Sequence, residues 1–165
     1  MQESLLSSAL VKTFDGLFQR PENTILRGGA AEPFFAPGQP STVFFREDFG
    51  RSALHEVAHW CVAGAIRRRL PDYGYWYAPD GRDEREQAAF FSVEVTPQAI
   101  EALFCESLGL AFTVSVDNLM ISSDDPAIQV FNEAVTTKVS LLRLNGLPPR
   151  ASRFNQALAA LSLSV

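Results

Sequence analysis

Histidine and cysteine are scarce in this chain of 165 residues, with only two of each. Cys61 and Cys105 do not form a Cys-x-x-Cys pair, which argues against a thiolate zinc site. Both fall in apolar, helix-like runs and read as reduced core thiols, not as a disulfide. Basic residues are also short, 14 against 19 acids, for a formal net charge of −5. A nucleic-acid binder usually shows a basic excess or a dense basic stripe. The single basic run here is Arg67-Arg68-Arg69, so no nucleic-acid partner is expected. A mildly acidic surface better suits small molecules, neutral proteins or cationic partners. No apolar run is long enough to span a bilayer, so no membrane association is expected. No apolar stretch follows a basic start, which speaks against a signal peptide and makes the cytoplasm the default location.

Apolar material, by contrast, is plentiful. Hydrophobic residues make up 47% of the chain, and 13 of them are phenylalanine, enough to build the core of one domain over residues 1–165. Helical spacing of apolar residues predicts helices over 4–19, 52–70, 97–108, 126–145 and 150–163, with Pro21 and Pro71 closing the first two. Pro97 stands where the third could begin, at the first helical position. Strands are expected at 42–45, 73–77, 90–95 and 111–116. The Gly- and Pro-rich stretch from Arg27 to Pro40 reads as a loop that could hold an edge strand at 33–35. The fold class expected is α+β: one compact domain, a small mixed sheet packed with helices, and a metal site on one of them.

That site is the segment His55-Glu56-Val57-Ala58-His59. On a helix, residues four apart lie on one face, so two imidazoles can reach one ion together. Glu56 points about 100° away and can touch a metal-bound water or a neighbouring ligand. Both histidines of the chain fall in this motif, which favours a shared ligand role over two scattered structural residues. A third ligand must then be a carboxylate, because no third histidine exists. Glu94 is the choice, as the one acid inside the alternating run Val93-Glu94-Val95. An outward-facing strand residue is the competing account of it, and Glu101 and Glu106 on the following helix are rivals. Two His and one carboxylate serve two chemistries. Zinc would polarise a carbonyl and activate water, with Glu56 as general base. Iron(II) in the same facial arrangement leaves positions open for dioxygen and a substrate. A purely structural metal is a third option.

The chain resembles the bacterial elongation factor P hydroxylase family. The resemblance rests on the run from Ser52 to Gly64 that contains the histidine motif, and on Asp72-Tyr-Gly-Tyr-Trp-Tyr-Ala-Pro-Asp-Gly-Arg-Asp83 just after it. It continues through Val93-Glu-Val-Thr-Pro-Gln98 and Leu103-Phe-Cys105 to Val116-Asp-Asn-Leu119. It implies oxygen-dependent hydroxylation of a lysine of translation elongation factor P that already carries a β-lysyl group. It implies a metal, Fe(II), held by two His and one Glu, which map to His55, His59 and Glu94. 2-Oxoglutarate is not an expected cosubstrate, and Glu56 would orient a ligand or a bound water. Members are expected to carry a slightly longer C-terminal tail than this chain, which stops soon after Leu163.

The remaining polar and aromatic residues have two readings each. Tyr73, Tyr75 and Tyr77 would share one strand face, with Trp76 on the other. Such rings hold an ammonium by cation–π attraction of about 0.5–2 kcal/mol each, or pack on the core. Asp80 and Asp83 could pair with substrate amines or serve a turn. Asp117-Asn118 could add to the cleft or form a turn. Arg67–Arg69 would complement the dipole at the end of the metal-binding helix.

Overall fold

Leu6, Leu10, Phe14 and Phe18 recur every four residues and are all buried, which turns one face of helix α1 (Glu3–Phe18) into the floor of the core. The structure, a computed structural model, describes residues 3–75, 81–116, 122 and 124–162. Three strands follow α1: β1 (Thr24–Ala30), β2 (Phe34–Ala36) and β3 (Ser41–Arg46). β3 is central, parallel to β1 and antiparallel to β2, so the sheet is mixed as expected. Helices α2 (Gly50–Val62), α3 (Glu84–Ser107), α4 (Pro126–Asn145) and α5 (Pro149–Ser162) complete the described elements.

Four of the helices meet in an aromatic cluster. The Phe14 ring lies 5.0 Å from Trp60 of α2 and 6.1 Å from Phe154 of α5, and Phe154 lies 5.1 Å from Phe104 of α3. These tilted and edge-on contacts suit the ring quadrupoles, and burial of each ring is worth about 1.5–3 kcal/mol. α2 is thereby packed on three sides. Its N-terminus abuts α1, where the Gly50 N–H donates to Glu3 Oε2 at 2.9 Å and a Cβ on Gly50 would sit 2.5 Å from Leu6 Cδ2.

Several sequence expectations are corrected. The helix expected over 52–70 stops at Val62, and Arg67–Arg69 form a separate 3-10 turn. Side chains replace the continuation of the helix: Arg68 Nη1 donates to the Ala63 carbonyl at 2.6 Å, and Arg150 Nη2 donates to the carbonyls of Cys61 and Ala63 at 3.1 and 2.6 Å. Of the expected strand 73–77, the described part is a turn over Pro71–Gly74, in which Asp72, Tyr73 and Gly74 all have positive φ. The expected strand 90–95 and the helix start at Pro97 are both interior to α3. Residues 111–116 form no strand, and Gln98 bonds both the N–H and the carbonyl of Ser115 there. Arg27–Ala30, expected at the start of a loop, form the end of β1, the strand that carries the parallel pairing.

Candidate metal centre

α2 buries Ala53, Leu54, Val57, Ala58 and Cys61 against the core, and this fixes the rotation of the helix. His55, Glu56 and His59 fall beside that buried stripe, facing α3. The two imidazole centroids are 4.7 Å apart and the rings 67° to each other. α3 answers with a polar stripe, Glu94, Gln98 and Glu101, at spacings of four and three that keep them on one face. Asp83 starts α3 by accepting a hydrogen bond from the Glu86 N–H at 2.8 Å. Pro97 is carried inside the helix, its missing N–H leaving the Val93 carbonyl without a helical donor.

Glu94 therefore reaches the histidines from a helix, not from the strand anticipated for it. Its Oε1 lies 2.8 Å from His59 Nε2 and its Oε2 3.6 Å from His55 Nε2. The two Nε2 atoms are 3.1 Å apart, and one ligand atom from each of the three residues falls within 4.8 Å of the others. The chemistry of this donor set fits a divalent transition metal. Two imidazole nitrogens that both present lone pairs would repel at that distance, and a shared cation relieves the repulsion and neutralises a carboxylate only 6% exposed.

The surroundings hold each candidate ligand in place. His55 Nδ1 donates to Glu101 Oε2 at 2.7 Å, which leaves Nε2 free to face the cluster. Gln98 Nε2 donates to Glu94 Oε2 at 3.0 Å, and the Gln98 amide is itself held by the backbone of Ser115. Burial works against a charge on His55, but the hydrogen bond and charge of Glu101, with Glu94 and Glu56 beyond, lift its pKa to about 10. Burial also opposes ionisation of Glu94, yet His59 and His55 outweigh it and hold that carboxyl at about 2. Burial raises the Glu56 carboxyl, with His55 and His59 opposing and Glu94 and Asp72 adding to the rise. The cysteines are inert: both are free and buried, and desolvation pushes Cys61 to about 12 and Cys105 to about 11.

Two cavities adjoin the cluster. One, of about 380 Å³, is lined by His55, Glu56 and Glu94 together with Phe90, Gln98 and Glu101. The other, of about 670 Å³, is lined by His59, Tyr73 and Tyr75 with Val62, Val93 and Pro97. Its wall at Tyr73 is built by a left-handed turn, tied down by the Phe35 N–H donating to Asp72 Oδ1 at 2.8 Å and by Tyr73 stacking on Phe35 at 4.5 Å. Left-handed backbone at a bulky residue is costly and tends to mark functional walls.

The other anticipated residues fare unequally. Tyr75 borders the larger cavity, but its ring already carries the Arg67 guanidinium at 4.1 Å. Asp83 is not brought to the cluster; it caps α3 and lines a different cavity with Arg82 and Phe91. Trp76, Tyr77, Asp80 and Asp117 lie outside the described residues. Of the two rivals for third ligand, Glu101 is the partner of His55, and Glu106 is exposed and ion-paired with Arg143. Gln98 is not among the residues the motif points to. Its signal was its spacing, four residues after Glu94 and three before Glu101.

Comparison with known proteins shows the family. The family model described as Elongation factor P hydroxylase matches residues 13–162. A curated relative from Haemophilus influenzae, named Elongation factor P lysine hydroxylase, is 41% identical over 155 residues, covering 92% of this chain and 86% of that protein. No helix among the described residues is long and apolar enough to cross a membrane.

Proposed function

Because the chain belongs to the elongation factor P hydroxylase family, we propose that it hydroxylates the β-lysylated lysine of translation elongation factor P, as one metal-dependent domain working in the cytoplasm beside its substrate. The observation that carries this reading is the convergence of His55, His59 and Glu94 within 4.8 Å at the junction of two cavities. These three residues would hold the metal, with iron(II) as the choice because two imidazoles and one carboxylate leave positions open for dioxygen and substrate. When bound, the iron supplies one-electron and dioxygen chemistry that no protein side chain offers. One oxygen atom enters a C–H bond, and the other leaves as water with two electrons and two protons from a reductant. We assign no 2-oxoglutarate. Membership of the family displaces the zinc-peptidase alternative.

The chain's own residues have distinct tasks. Glu101 fixes the tautomer and ring orientation of His55. Gln98 holds the Glu94 carboxylate at one rotamer. Glu56 lines the smaller cavity beside His55 and Glu94. Phe90 and the Tyr73 wall narrow access of water to the cluster.

The test is mass spectrometry of β-lysylated elongation factor P after incubation in air with the iron(II)-loaded protein and a reductant. The expected result is a gain of one oxygen atom on the modified lysine, absent anaerobically and with His59→Ala. No gain with iron-loaded protein across chemical and biological reductants would overturn the reading.

A further inference from the structure

The proposed reaction makes a geometric demand on the site. A lysine inside a protein chain is acylated only at Nζ, so every carbon of its side chain lies between the backbone and the β-lysyl group. Whichever of those carbons is hydroxylated, the chain continues on both sides of it. The site must therefore hold substrate on two sides of the cluster at once.

The two cavities meet that demand. They share no lining residue, yet His59 lines one and His55 the other, and their Nε2 atoms are only 3.1 Å apart. Volumes of about 670 and 380 Å³ each lie in the range that accepts small organic groups, roughly 300–1,000 Å³. Their linings differ, the larger being mostly apolar and without a carboxylate and the smaller carrying an excess of acids. The larger is walled by Val62, Tyr73, Val93 and Pro97, and its rim is apolar, with Val62 42% and Ile66 78% exposed. A cation would meet the Arg67 guanidinium there, already seated on Tyr75 at 4.1 Å. The smaller holds four carboxylates, Glu32, Glu56, Glu94 and Glu101, against two guanidiniums, Arg46 and Arg51, the latter donating to the Ala111 carbonyl. Glu94 and Glu101 are engaged with the imidazoles, whereas Glu56 has no hydrogen-bond or ion-pair partner among the described residues.

We propose that the modified lysine threads across the cluster, its methylene stem in the Val62–Tyr73–Val93 cavity and its cationic β-lysyl group in the Glu56 cavity. Glu56 is then the residue that selects the charged acyl group over a neutral one. This rests on the hydroxylase reading and adds a direction and a specificity residue to it. The stem enters from the apolar rim, where its methylenes lose water, and the ammonium passes beyond the cluster to an unengaged carboxylate.

Binding to the metal-free protein tests this without turnover. Two forms of elongation factor P are compared, one β-lysylated and one carrying a hexanoyl group of the same chain length without amines. Wild type is expected to bind the β-lysylated form about 10- to 100-fold more tightly, the span of one charge-assisted hydrogen bond. Glu56→Gln, nearly isosteric, should abolish that preference and leave hexanoyl binding unchanged. Val93→Phe, which narrows the stem cavity, should weaken both forms alike. Circular dichroism and metal titration verify that both variants keep their fold and cluster. The threading is overturned if wild type does not discriminate, if Glu56→Gln still does, or if Val93→Phe affects neither form. Hydroxylation of the β-lysylated factor by iron-loaded wild type separates the two levels. Turnover without discrimination sinks the threading alone, and no turnover sinks the hydroxylase reading.

Discussion

Gln98 offers the sharpest perturbation of the centre. The side chain is 1% exposed and makes three hydrogen bonds: to Glu94 Oε2 at 3.0 Å, to the Ser115 carbonyl at 2.7 Å, and from the Ser115 N–H at 3.0 Å. Gln98→Leu keeps the volume and removes all three. Ser115 is exposed, so its backbone groups can turn to water, at about 1 kcal/mol or less each. Glu94 is buried and cannot do so, and losing a donor to a charged oxygen costs about 1.5–3 kcal/mol. Extra apolar burial by leucine offsets part of this, leaving a net loss of about 2–3 kcal/mol. For a chain of this length that lowers the melting temperature of the metal-free protein by roughly 4–12 °C. Because Glu94 also loses its orientation, metal affinity should fall about 10- to 100-fold. Differential scanning fluorimetry and titration with cobalt(II), followed by its absorption bands, read the two effects separately. Unchanged melting together with unchanged cobalt affinity would refute the claim that Gln98 positions the carboxylate.

Other expected outcomes follow from the same geometry. In the metal-free protein, the His55 pKa of about 10 lies above its usual 6.5, so its stabilising contribution is full below pH 6.5 and is lost as pH rises towards 10. Glu94, held at about 2 against its usual 4.5, contributes above pH 4.5 and loses that contribution as pH falls. Melting of metal-free protein should thus decline from pH 6.5 to 10, and Glu101→Gln, which removes the partner of His55, should flatten that decline. Metal must displace the His55 proton, so uptake in a weakly buffered solution at neutral pH should release protons, read by a pH indicator. The aromatic cluster of Phe14, Trp60, Phe104 and Phe154 is packed independently of the metal ligands. Chelation should therefore lower the melting temperature but leave the far-ultraviolet circular dichroism intact at 25 °C; unfolding would mark the metal as structural. A Cβ at Gly28 would lie 2.6 Å from the Glu47 carbonyl and 2.7 Å from Phe45 Cζ. Gly28→Ala should cost about 1–3 kcal/mol by denaturant unfolding, whereas Gly16→Ala, on the open face of α1, should stabilise by about 0.5–1 kcal/mol.

The sequence made α2 legible because two signals agree there. Apolar residues at helical spacing gave the helix, and the four-residue interval of His55 and His59 put both rings on its free face. β1 was hidden because Gly28-Gly29 look like loop residues. In the structure Gly28 is needed where β1 passes close to β3, and Gly29, with φ of 90°, sits in the register shift between Arg27 and Ala30. The 3-10 turn of Arg67–Arg69 was hidden because the groups that end α2, Arg68 and Arg150, act from later in the chain. α3 is hidden from apolar periodicity for a reason that bears on function. Hydrophobic periodicity detects a helix only when the face it buries is apolar. As far as Gln98, α3 turns Gln87, Glu94 and Gln98 inward and leaves Phe90, Phe91 and Val95 only partly buried, so its apolar residues alternate as in a strand. The polar residues themselves, at intervals of seven, four and three, follow the helical repeat. A stripe of acids and amides with that repeat, opposite a helix that carries both histidines, is the arrangement a metal centre needs, with ligands from two rigid elements and the residues that orient them on the same face. The helical signal in α3 was present in its polar residues, and reading their period alongside the apolar one would have placed Glu94, Gln98 and Glu101 together.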